Sequence, residues 1–96
     1  MNEENPKYNI VLTSIFKKDV KLAKKRGYDL NLLDDVVKVL SYGLPLDEKY
    51  KDHNLIGNYK GCRECHILPD WLLIYEIAND ELILYLTRTG THSDLF

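Results

Sequence analysis

Three histidines, at positions 53, 66 and 92, lie in the second half of a 96-residue chain, each beside turn chemistry or the end of a strand-like run. His53 follows Lys51-Asp52, His66 precedes the Pro69-Asp70 turn, and His92 follows Arg88-Thr89-Gly90-Thr91 in a polar tail. Imidazole titrates near neutral pH and can take or give a proton there. Two or three imidazoles with a carboxylate and an arginine are enough to cleave RNA without a metal. One group removes the proton from a ribose 2′-OH, and the oxygen attacks the neighbouring phosphate in line. A second group protonates the leaving 5′-oxygen while cations stabilise the added charge. Each residue also has a plain structural reading. A lone histidine is more often a surface or satisfied residue, Trp71 heads an apolar run that suits a core, and Arg63 and Arg88 on strands commonly form weak surface ion pairs. From composition and spacing alone, nuclease is one option among several.

Cys62-Arg63-Glu64-Cys65-His66 matches the Cys-x-x-Cys-His pattern of c-type haem attachment and half of a zinc site. A structural zinc site needs about four ligands, and the sequence has no second Cys-x-x-Cys or His-x-x-x-His pair. The segment also reads as a strand, where residues three apart point to opposite faces. The two cysteines are therefore expected to be strand residues with free thiols, and no metal or other cofactor is expected.

The elements that must position these groups can be read from periodicity. Lys7 to Leu12 reads as a first strand. Phe16, Val20 and Ala23 then make one stripe of a helix, with Lys17, Lys18, Lys21, Lys24 and Lys25 on its other sides. Thr13 or Ser14 can cap its start and Gly27 suits its end. Leu33, Val36, Val37 and Leu40 repeat the pattern in a second helix, capped by Asp29 or Asn31 and ending before Gly43. Helices joined this tightly form an antiparallel hairpin. Residues 43–60 read as a loop with a short strand near 53–57. Cys62 to Leu68, Trp71 to Ile77 and Leu82 to Thr87 are strand-like, separated by Pro69-Asp70 and Asn79-Asp80. The order β-α-α-β-β-β predicts one α+β domain over residues 1–96, a helical hairpin packed on one face of a mainly antiparallel sheet. The other face is expected to stay free.

Hydrophobic content of 45% and charged content of 29% are ordinary for a globular domain. The apolar run from Trp71 to Ile74 is far shorter than the roughly 20 residues of a membrane helix. The polar, acidic start Met1-Asn2-Glu3-Glu4-Asn5-Pro6 lacks the features of a secretory signal, so a cytoplasmic location and no membrane partner are expected. The net charge of −2 hides an asymmetry: residues 1–26 balance to +4 and residues 27–96 to −6. The basic end suits phosphates or an acidic protein, though the chain as a whole lacks the strong basicity of a general nucleic-acid binder.

Three blocks together carry a resemblance. They are Tyr50-Lys51-Asp52-His53-x-Leu55-x-Gly57, then Arg63-Glu64-Cys65-His66-Ile67-x-Pro69-Asp70-Trp71-Leu72-Leu73-Ile74-Tyr75, then Arg88-Thr89-Gly90-Thr91-His92-Ser93-x-Leu95-Phe96. With Lys18-Asp19-Val20-Lys21-Leu22-Ala23 and Leu44-Pro45-Leu46, nearly the whole chain resembles the YafQ-type toxins of the RelE/ParE superfamily. That resemblance implies a type II toxin that enters the ribosomal A site and cuts the mRNA codon there, needing no cofactor. By similarity Asp70 accepts the 2′-OH proton, His92 is the general acid, and His53 and His66 complete the proton network. Arg88 would contact the scissile phosphate, Trp71 and Phe96 would hold bases, and the lysines of the first helix would meet rRNA. The implied partners are a DinJ/RelB-like antitoxin, the 70S ribosome with its mRNA, and operator DNA only through the antitoxin. The alternatives of the same fold are a ParE-like gyrase poison and an inactive antitoxin-binding protein.

Overall fold

The structure, a computed structural model, describes residues 5–96. Of the acidic start read for a missing secretory signal, residues 1–4 lie outside the described residues. The chain runs β1 (Asn9–Leu12), α1 (Ser14–Lys25), α2 (Leu30–Ser41), β2 (His53–Asn54), β3 (Arg63–Leu68), β4 (Trp71–Ala78), β5 (Ile83–Gly90) and α3 (His92–Leu95). Two 3-10 turns, Glu48–Tyr50 and Gly57–Tyr59, flank β2. The five strands form one sheet in the order β1-β5-β4-β3-β2. Every pairing is antiparallel except β1 with β5. This is the α+β architecture expected, with a helical hairpin on one face.

Local chemistry sets the helix ends. The Thr13 hydroxyl accepts the Phe16 N–H at 3.0 Å, and the Asp29 carboxylate accepts the Asn31 N–H at 3.0 Å. Each such cap contributes about 1 kcal/mol. Gly27, just past α1, sits at φ +83°, where a side chain would be strained. From α1, Phe16 and Ala23 are buried, and from α2, Leu33, Val36 and Leu40. They meet Cys65, Ile67, Trp71, Leu73, Tyr75, Leu84 and Leu86 from the sheet in the main core.

The opposite face is less bare than the sequence reading had it. Leu72 and Ile74 are buried there with Leu95 of α3, and Leu55, Tyr59 and Cys62 pack against them. A loop and the C-terminal turn thus cover part of this face. The segment after Arg88, read as a polar tail, instead extends β5 to Gly90 and then forms α3. The two cysteines part as strand geometry requires, Cys65 into the main core and Cys62 towards the second cluster. No helix among the described residues is long and apolar enough to cross a membrane.

Candidate active site

Strand pairing brings the three histidines into a row. His53 on β2 lies opposite Glu64 on β3, and Glu64 and His66, two apart on one strand, share a face. The β3–β4 turn ends in Asp70, which reaches across to α3. Ring centroids of His53 and His66 are 6.4 Å apart, and those of His66 and His92 are 5.8 Å apart.

Each imidazole is held by its Nδ1. His53 Nδ1 is 2.8 Å from the Lys51 carbonyl oxygen, and His66 Nδ1 is 3.3 Å from that of Pro69. His92 Nδ1 is 2.6 Å from Asp70 Oδ1. Carbonyl and carboxylate oxygens only accept, so the proton lies on Nδ1 in all three rings and Nε2 is the atom presented. The same Asp70 oxygen also accepts the His92 backbone N–H at 2.9 Å. These two bonds, the backbone one first, hold the Asp70 carboxyl below its ordinary range.

Glu64 is the residue that sequence reasoning missed. Its side chain is buried, with Oε1 3.4 Å from His53 Nε2 and 3.8 Å from His66 Nε2. Its other oxygen, Oε2, is buried without a hydrogen-bond partner among the described residues. A buried carboxylate is costly unless compensated, so its place between two imidazoles marks it as part of the site. Its spacing of two from His66 on a strand was the signal available.

The loop that carries His53 is tied to β3 by charge. Arg63 donates to Asp52 through Nε and Nη2, at 2.8 Å for the latter, and through Nη1 to Asn54 at 2.6 Å. Tyr75 also donates its hydroxyl to Asp52. The C-terminal turn is fixed by a capping box, in which Thr91 and Asp94 exchange backbone and side-chain hydrogen bonds.

Two of the predicted binding residues are placed differently. Trp71 is 1% exposed, on the helix side of the sheet, with its indole N–H donated to Thr89 Oγ1 at 2.9 Å. Its ring packs on Tyr28 at 4.8 Å and offers no face to a base. Trp71 is therefore a core residue, because burial of the large apolar ring outweighs its use as a platform. Arg88 is held by Asp19 of α1, through Nε at 2.8 Å and Nη2 at 3.1 Å. Its charge is already compensated, which leaves only its remaining donors for a phosphate. Phe96 is exposed and packs edge-on against Tyr59. Lys17, Lys18, Lys21, Lys24 and Lys25 are all exposed on α1.

The model of the family described as "Bacterial toxin of type II toxin-antitoxin system, YafQ" matches residues 8–96. The chain belongs to this family. The mRNA interferase toxin YafQ of Escherichia coli K12 is 48% identical over 82 residues, spanning 84% of this chain and 87% of the relative. The toxin in the crystal structure of the E. coli DinJ-YafQ toxin-antitoxin complex superposes with a TM-score of 0.85 at 44% identity, covering 94% of this chain and 98% of that one. A metal-bound toxin from Helicobacter pylori superposes with a TM-score of 0.88 at 48% identity, covering 93% and 99%. In the present chain no group of three or more His, Cys, Asp or Glu side chains among the described residues is arranged as a metal-ligand set.

Proposed function

We propose that this chain is a ribosome-dependent endoribonuclease, the toxin of a type II toxin–antitoxin pair, which cuts mRNA in the ribosomal A site. The observation that carries the reading is the row of three Nδ1-anchored imidazoles, with a buried carboxylate between the first two and an exposed one on the third. Family membership supports the same class of activity. Residues 1–96 act as one toxin domain in the cytoplasm.

The geometry suggests a division of labour that departs from the similarity-based one. Asp70, held below its ordinary range, is a poor base, and its bonds to His92 suit a positioning role. In its doubly protonated form, with Nδ1–H held by Asp70, His92 gives its Nε2 proton to the leaving 5′-oxygen. His66 Nε2 takes the 2′-OH proton, the new O–P bond forms as the P–O5′ bond breaks, and Glu64 compensates the positive ring. His53 and the free donors of Arg88 stabilise the added phosphate charge. Phe96 offers a stacking face worth about 1–3 kcal/mol. The lysines of α1 meet rRNA, an interaction that weakens steeply with salt. Partners of this reading are a DinJ-like antitoxin, the 70S ribosome and, through the antitoxin, operator DNA.

The test is mapping of mRNA 5′ ends on programmed ribosomes. In-frame cuts should fall about 100- to 10,000-fold in His92→Gln and in His66→Gln. Cuts that persist in both folded variants, or growth arrest with broken DNA and intact mRNA, would overturn the reading.

A further inference from the structure

We propose that the cleft beside His66 is a nucleotide subsite, which takes the nucleotide on the 5′ side of the cut, the one that supplies the attacking 2′-OH. The inference rests on the nuclease reading and deepens it. The cleft has a volume of about 500 Å³ and lies between the Glu48–Tyr50 turn and the end of β3. That volume is within the usual range of roughly 300–1,000 Å³ for small-molecule sites. Its walls include Tyr50, Leu68 and Pro69, with Lys49, Lys51 and His66 also lining it.

Charge is the first argument for an anionic occupant. No carboxylate among the described residues lines the cleft, although residues 27–96 carry a balance of −6. Two ammonium groups and an imidazole here reverse the local sign, which selects a phosphate-bearing ligand. Rigidity is the second. Tyr50 is half-buried and packs against the main core, so its ring is a fixed wall. Lys49 Nζ lies 5.1 Å from the centre of that ring, an attraction that keeps the ammonium beside the apolar surface. The backbone of Lys51 is anchored too: it adopts a left-handed conformation with φ +51°, and its carbonyl oxygen accepts the His53 ring proton. Apolar walls beside two cations suit a nucleobase joined to a phosphate.

The order of the histidines assigns the direction. His92, the donor to the leaving 5′-oxygen, stands at one end of the row. The cleft opens beside His66, the base, so the nucleotide seated in it is the one whose 2′-OH is deprotonated.

The experiment measures cleavage of A-site mRNA by the full chain and by Lys49→Ala, Lys51→Asn and Tyr50→Leu. Asparagine is chosen at position 51 because it tolerates the left-handed backbone. Each lysine variant should raise KM about tenfold and leave kcat within about twofold, since a phosphate contact positions without doing chemistry. Tyr50→Leu should relax the preference for the base 5′ of the cut. Unchanged KM and unchanged base preference in all three would overturn the subsite. A 2′-O-methyl RNA trinucleotide, which cannot be cleaved, gives a second readout by amide chemical shifts. Shifts centred on residues 49–51 and 66–69 support the cleft, and shifts confined to other surfaces overturn it. If the unaltered chain makes no cuts at all, the nuclease reading fails, and the trinucleotide shifts still decide the cleft.

Discussion

Arg26, at the end of α1, grips Asp94 of α3 with both amino groups, at 2.7 Å and 3.3 Å. Asp94 also accepts the Thr91 N–H at 2.9 Å, so the turn carrying His92 and Phe96 is braced against the helical hairpin. Asp94→Asn should lower kcat for RNA cleavage about tenfold through loss of His92 alignment. The KM for the ribosome complex should move little. Single-turnover kinetics would check the split, and an equal rise in KM would argue against a bracing role.

The same carboxylate makes a pH prediction. Asp94 is held well below its ordinary 3.8, by the Arg26 guanidinium first and by the Thr91 backbone next. A depressed folded-state value means that the contribution is fully present above the unfolded value and is lost as pH falls through the folded one. Urea midpoints of the native chain and Asp94→Asn should thus differ at pH 7 and begin to converge only below about pH 3.8, as pH falls towards the much lower folded-state value. A gap that grows on acidification would contradict this.

Gly90 gives a steric test of the same turn. A methyl added there would lie 2.9 Å from Asp94 Oδ2 and 3.0 Å from its Cβ. Gly90→Ala should therefore displace Asp94 and reproduce the kinetic defect of Asp94→Asn. Wild-type kcat in this variant would show that the turn tolerates the shift.

Trp71→Ala should cost about 3–5 kcal/mol of stability, the usual penalty for emptying a buried aromatic site. Trp71→Phe keeps most of the packing and should retain cleavage activity. Thermal melts beside activity at a temperature where both variants are folded would separate the roles. Loss of activity in a stable Trp71→Phe would restore a direct contact with substrate.

Cys65 is predicted to be chemically silent, because burial pushes its thiol up to about 12. Burial also raises the Cys62 thiol. Mass spectrometry after iodoacetamide treatment at pH 8 should show Cys65 unmodified in the native protein and modified in urea. Rapid native labelling of Cys65 would contradict its place in the core.

Periodicity made most of the scaffold legible, because one-sided burial leaves a stripe in the sequence. Phe16 with Ala23, and Leu33 with Val36 and Leu40, marked both helices, and Thr13, Asp29 and Gly27 marked their ends. The convergence of His53, His66 and His92 was not legible from spacing, since it depends on which strands pair and in what register. Their family pattern suggested it. Glu64 escaped because a lone acid on a strand looks like a solvated residue, and only the pairing of β2 with β3 puts it between two rings. Trp71 shows the reverse error, a residue type suited to nucleic acid that the fold spends on the core and on Thr89, and Arg88 keeps only part of its guanidinium free of Asp19. The short helix α3 was hidden because four residues leave no periodic trace.

The one parallel pairing in the sheet also constrains how the protein comes into being. Thr13, at the end of β1, donates its hydroxyl to the Thr87 carbonyl of β5 across 74 positions of chain. During synthesis the first strand must wait, unpartnered, until nearly everything after it has left the ribosome. No partial product that stops short of β5 can complete the sheet, and none contains His92. A half-made chain thus lacks both the completed sheet and the third imidazole of the row.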